Sequence, residues 1–105
     1  MTNIYIGAIA TGKTHKLVQE ALANPKGVLI VGCNRDRELL RKTYAKLPIV
    51  LTLGEFLSPN RSFEAGLEFY IDDVVHVLDQ LLATNLKSIT INEAYSQIVD
   101  LGKCK

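Results

Sequence analysis

Two stretches of the sequence bring together residue types that could do chemistry. The first is Gly7-Ala8-Ile9-Ala10-Thr11-Gly12-Lys13-Thr14, which matches the spacing G-x-x-x-x-G-K-[ST] at every fixed position. Gly7 lets the chain turn sharply off a strand. Gly12 allows the backbone close to an anion and takes positive φ without steric cost. The successive N–H groups of such a loop form a concave nest for phosphate oxygens, and the helix that follows points the positive end of its dipole at the same spot. Lys13 adds a full charge for β- and γ-phosphates, and the Thr14 hydroxyl is a ligand for Mg²⁺. A chance glycine turn beside a surface lysine would need neither a strand before it nor a helix after it, and both are expected here.

The second stretch is Leu67-Glu68-Phe69-Tyr70-Ile71-Asp72-Asp73, an apolar run ending in two carboxylates. A carboxylate at the tip of a buried strand, in a chain that already carries a phosphate loop, has a cation to meet. Asp72 is therefore expected to join Thr14 in holding Mg²⁺. Asp73 suits the start of a helix, where the dipole favours negative charge.

These residues need a scaffold, and the chain alternates short apolar strands with helical patterns, as parallel α/β proteins do. Strands are expected at 3–6, 28–31, 49–51, 67–71 and 87–91. Helices are expected at 13–23 with Leu17, Val18, Ala21 and Leu22 on one face, and at 35–46 with Leu39, Leu40 and Leu47 inward. Two more are expected at 73–83, buried through Val74, Leu78, Leu81 and Leu82, and at 92–101. The run Val28-Leu29-Ile30-Val31 reads as a strand buried on both faces. Thr52-Leu53-Gly54-Glu55 has capping-box spacing for a brief helix through Leu57. Residues 58–66 form the one clear loop. The expected architecture is a three-layer α/β sandwich with a mostly parallel five-stranded sheet, and ligands at the carboxyl ends of its strands.

Composition narrows the function class. The 105 residues fit one domain, 1–105, with 48% hydrophobic and 22% charged residues and a net charge of +1. That balance lacks the basic field of a dedicated nucleic-acid binder. Cys33 and Cys104 are too few for a disulfide framework; Cys33 reads as a reduced core thiol, and no ligand spacing joins either to His15 or His76. With no signal-peptide pattern and no apolar run long enough for a bilayer, a cytoplasmic location without a membrane partner is expected.

With both stretches in view, the chain resembles the P-loop NTPase superfamily. The first stretch is similar to its Walker A sequence, and Leu67–Asp73 resembles its Walker B strand. The layout, with two strand-like runs between the motifs and Ser88-Ile89-Thr90-Ile91-Asn92 after them, resembles the RecA-like, additional-strand ATPases, including helicase motor domains and phage-type ATPases. The resemblance implies ATP and Mg²⁺ as ligands, Thr14 and Asp72 at the metal, and Lys13 on the phosphates. It implies Asp73 as the residue that orients water, where the family usually has a glutamate, and Asn92 as a polar sensor, with Thr90 as alternative; Asn92 could equally be the cap of the last helix. Aspartate is one methylene shorter, and a misplacement of about 1 Å can cost on the order of 10²-fold in rate, so hydrolysis is expected to be slow. No N-K-x-D motif supports a GTPase, and there is no second RecA-like lobe.

The leading expectation is a slow, Mg²⁺-dependent ATPase acting in nucleic-acid metabolism, completed by a second copy or a partner protein; single-stranded nucleic acid is a candidate partner by family analogy. A nucleotide-dependent switch that binds ATP without turnover, and a small phosphotransferase with an acceptor pocket near 58–66, are the alternatives. Arg35, Arg37, Arg41 and Lys42 read as a solvated helix face. Arg61 could reach a phosphate from its loop.

Overall fold

The computed structural model describes residues 2–7, 12–58, 66–82, 86–90 and 96–102. Its elements run β1 (Thr2–Ile6), α1 (Lys13–Ala23), β2 (Gly27–Val31), α2 (Asn34–Thr43), β3 (Ile49–Thr52), α3 (Leu53–Phe56), β4 (Glu68–Ile71), α4 (Val74–Leu82) and β5 (Ser96–Asp100). All pairings among the described residues are parallel, which is the α/β class expected from the alternation of strand and helix patterns.

Among the described residues the strands form two sheets rather than one of five: β1 with β5, and β3-β2-β4. The fifth strand is also a different segment from the one expected. Residues 86–90 take no regular structure, so the expected strand at 87–91 is not found over its described part. Where a helix was expected at 92–101, Ser96–Asp100 is instead a strand, paired with β1 from Thr2↔Ser96 to Ile6↔Asp100. The run is short and its Ile98-Val99 pair suits either structure locally; long-range pairing with β1 decides it.

The core is built around β2, whose five residues are all buried. Its alternate side chains serve opposite faces. Leu29 and Val31 pack with Val18 of α1 and Leu40 of α2, while Val28 and Ile30 pack with Leu51 of β3, against Phe56 of α3. A central strand covered on both faces explains why its sequence is a continuous aliphatic run. Helices α1 to α4 keep their expected spans within a few residues, but α4 turns a different face inward. Val77 is its buried residue, whereas Val74, Leu81 and Leu82 are exposed. On α2, Leu40 is buried and Leu39 exposed, and Leu22 of α1 is exposed.

Helix α1 ties the two sheets together. Tyr5 of β1 donates to Glu20, and Lys16 Nζ sits 5.9 Å above the Tyr5 ring. The bond to Glu20, more than burial, pushes the Tyr5 phenol up to about 12. At the far end of α1, Asn24 Nδ2 donates to Tyr70 Oη of β4 at 3.0 Å.

Candidate functional site

Because the strands within each sheet run parallel, their carboxyl ends gather the segments that leave them: Gly7 after β1, Gly32-Cys33 after β2, and Asp72-Asp73 after β4. Asp72 N–H donates to Ile30 O at 3.2 Å, carrying the β2–β4 ladder one residue past the strand and fixing where the Asp72 side chain starts.

Gly12 caps α1 at φ 83°, in the left-handed region. A Cβ there would meet nothing within 4 Å, so the need for glycine is conformational rather than steric. Among the described residues no side chain caps α1 and its first turn holds no acidic residue. Lys13 Nζ donates to Gly7 O at 2.6 Å and so bridges the two ends of the glycine loop. Ala8, Ile9, Ala10 and Thr11, the middle of that loop, lie outside the described residues, as do Arg61, Asn92 and Cys104.

The decisive contact spans 58 positions in sequence. Thr14 Oγ1 lies 3.1 Å from Asp72 Oδ1 and 3.3 Å from Oδ2. Burial pushes the Asp72 carboxyl above its ordinary range; the Thr14 hydrogen bond opposes this, and the charges of Asp73 and Asp36 add to it. A hydroxyl and a carboxylate held together, with the carboxylate's charge partly desolvated, form a pair of hard oxygen donors.

Asp73 has a different setting. It is exposed and holds φ 53°, uncommon for a residue other than glycine. Its Oδ1 accepts from His76 N–H at 3.4 Å and its carbonyl accepts from Val77 N–H at 3.1 Å, so it caps α4.

A cleft of about 350 Å³ opens at this edge between α1, α2 and α4. Thr14, Asp72 and Asp73 line it, and so do Asp36, Tyr44 and His76, which the sequence reading had not placed there. Nearby, Cys33, Asp36 and His76 bring their ligand atoms within 4.8 Å of one another. Nothing in the spacing 33, 36 and 76 signals this; the β2–β4 register sets it, by bringing the turn after β2 alongside the first turn of α4. His15 is exposed, its ring stacked on Tyr44 at 5.9 Å.

The chain matches no protein-family model, no curated protein and no solved structure. What it does must be read from its own residues.

Arg37 corrects one part of that reading. Arg35, Arg41 and Lys42 are exposed, as a solvated face would be, but Arg37 is drawn in. Its Nη1 pairs with Glu55 Oε1 at 2.5 Å, and its guanidinium also bonds Asn34 Oδ1. The side chain therefore locks α2 onto α3 rather than reaching toward the cleft.

Proposed function

We propose that this chain binds ATP with Mg²⁺ at the amino end of α1 and hydrolyses it slowly, as a small P-loop protein of the additional-strand type. The observation that carries this reading is the Thr14–Asp72 contact, since the motif's hydroxyl and the second motif's carboxylate could have folded apart. The left-handed Gly12, a first turn of α1 with no side-chain cap among the described residues, and the reach of Lys13 across the loop support the same reading.

The residues divide the work by their chemistry. The amides at the start of α1 bind phosphate oxygens, and Lys13 exchanges part of its bond to Gly7 for the β- and γ-phosphates. Thr14 and Asp72 would hold Mg²⁺, which when bound neutralises phosphate charge. Asp73 orients the attacking water. Its side chain is short and engaged at the α4 cap, which makes it a weak water-positioning group and accounts for slow turnover. That same engagement favours the second reading, a nucleotide-dependent switch without turnover. Action in nucleic-acid metabolism, with a partner or second copy completing the site, extends the family likeness.

A single-turnover assay with labelled ATP, with and without single-stranded DNA, separates these. Slow phosphate release, faster with DNA, is the expected result. Tight binding without release selects the switch, and transfer of label to a small acceptor selects a phosphotransferase.

A further inference from the structure

We propose that Cys33, Asp36 and His76 form a binding site for a zinc-class divalent ion, distinct from the Thr14–Asp72 pair. Cys33 is the residue just before α2, Asp36 lies in the first turn of α2, and His76 lies in the first turn of α4. Cys33 Sγ is 3.4 Å from Asp36 Oδ2, and His76 Nε2 is 3.1 Å from the same oxygen. Zn²⁺ binds thiolate at about 2.3 Å and imidazole or carboxylate at about 2.0–2.2 Å, so the edges of a tetrahedral site measure about 3.3–3.6 Å. The sulfur–oxygen edge, 3.4 Å, already has that length, the nitrogen–oxygen edge, 3.1 Å, falls just short of it, and all three ligand atoms lie within 4.8 Å of one another.

Without an ion, these groups form an ordinary hydrogen-bonded triad around Asp36. Four observations favour the ion. The ligand set is sulfur, nitrogen and oxygen, which suits zinc and its neighbours rather than Mg²⁺. All three side chains are half-buried and belong to two different elements joined only through the β2–β4 register. Gly32 makes room for them: a Cβ there would lie 2.9 Å from His76 Cδ2, 3.1 Å from Nε2 and 3.3 Å from Asp36 Oδ2. The cleft beside the group is also negative, with Asp72 and Asp73 on its wall. Three protein ligands leave the fourth position on the cleft side, where Asp36 and His76 form the wall, as in zinc sites that keep one position for water or a substrate oxygen.

The test is a Co²⁺ titration of the full-length, metal-free protein carrying Cys104→Ser, so that Cys33 is its only thiol. The expected result is saturation at one ion per chain, with a thiolate-to-cobalt charge-transfer band and the intense visible bands of four-coordinate cobalt. Zn²⁺ displaces the cobalt and excess Mg²⁺ does not. Cys33→Ser abolishes the charge-transfer band, and His76→Gln or the near-isosteric Asp36→Asn weakens Zn²⁺ binding at least about 10-fold, the floor set by losses at outer-shell partners. Circular dichroism of each variant establishes that it is folded. Absence of the band in the Cys104→Ser protein, Zn²⁺ affinity unchanged in folded His76→Gln or Asp36→Asn, or displacement of cobalt by Mg²⁺ would each overturn the site.

Discussion

At the scale of the residue, Asp72 pays for its position: burial raises its pKa, so in the ligand-free protein its ionised form is held at a cost. The sign of the pH effect follows. A carboxyl whose folded pKa lies above its unfolded value destabilises the fold at neutral pH, and the cost is relieved as pH falls toward the ordinary carboxylate range. Asp72→Asn is therefore expected to raise the stability of the ligand-free protein by about 1 kcal/mol, measured by urea unfolding at neutral pH, and to abolish the Mg²⁺ dependence of ATP binding. A destabilised variant whose ATP binding still depends on Mg²⁺ would contradict both assignments. That Thr14 and Asp72 would meet was legible in the sequence, because each sits at a fixed distance from a strand end. Cys33, Asp36 and His76 were not, because their meeting depends on which strands are neighbours, and that is a property of the sheet.

Local rules predict single elements well where the signal is short-range. The capping box of α3 is present in both directions: Thr52 N–H donates to Glu55 Oε1 at 2.9 Å, and Glu55 N–H donates to Thr52 Oγ1 at 3.2 Å. Thr52→Ala is expected to cost about 1 kcal/mol in equilibrium unfolding. The Thr52 N–H, and then Arg37, hold the Glu55 carboxyl below its ordinary range. Its contribution is thus present above that range and lost as pH falls through its depressed value, so the cost of Glu55→Gln, which keeps the shape and removes the charge, should shrink in acid. An undiminished cost at low pH would show that the Glu55 charge has no part in the cap. The stretch after α4 was misread for the opposite reason. Ile98-Val99 carries no period long enough to distinguish helix from strand, and its partner strand lies at the other end of the sequence. Likewise, the inward face of α4 is set by packing through Val77 rather than by counting its leucines.

For the whole molecule, stability rests on β2 and coupling rests on α1. Leu29 is fully buried within the cluster that joins β2 to α1 and α2, so Leu29→Ala is expected to cost about 2–5 kcal/mol in thermal or denaturant unfolding. A loss below about 1 kcal/mol would mean that the core lies elsewhere. Helix α1 contacts β1 through Tyr5, β4 through Tyr70, and the edge of the cleft through Thr14. A ligand gripped at its first turn would therefore brace both sheets, and would stabilise the fold by about 2.7 kcal/mol at a concentration 100 times its dissociation constant. No helix among the described residues is long and apolar enough to cross a membrane.

Calorimetric titration of the full chain with ATP, in the presence and absence of Mg²⁺, addresses phosphate docking at α1 most directly when Lys13→Ala is run beside the parent. Saturable binding strengthened by Mg²⁺ and weakened about 10–100-fold by the substitution, the worth of one hydrogen bond to a charged group, is the predicted outcome. A parent that takes up no ATP, or a Lys13→Ala variant that binds it equally well, would contradict the account.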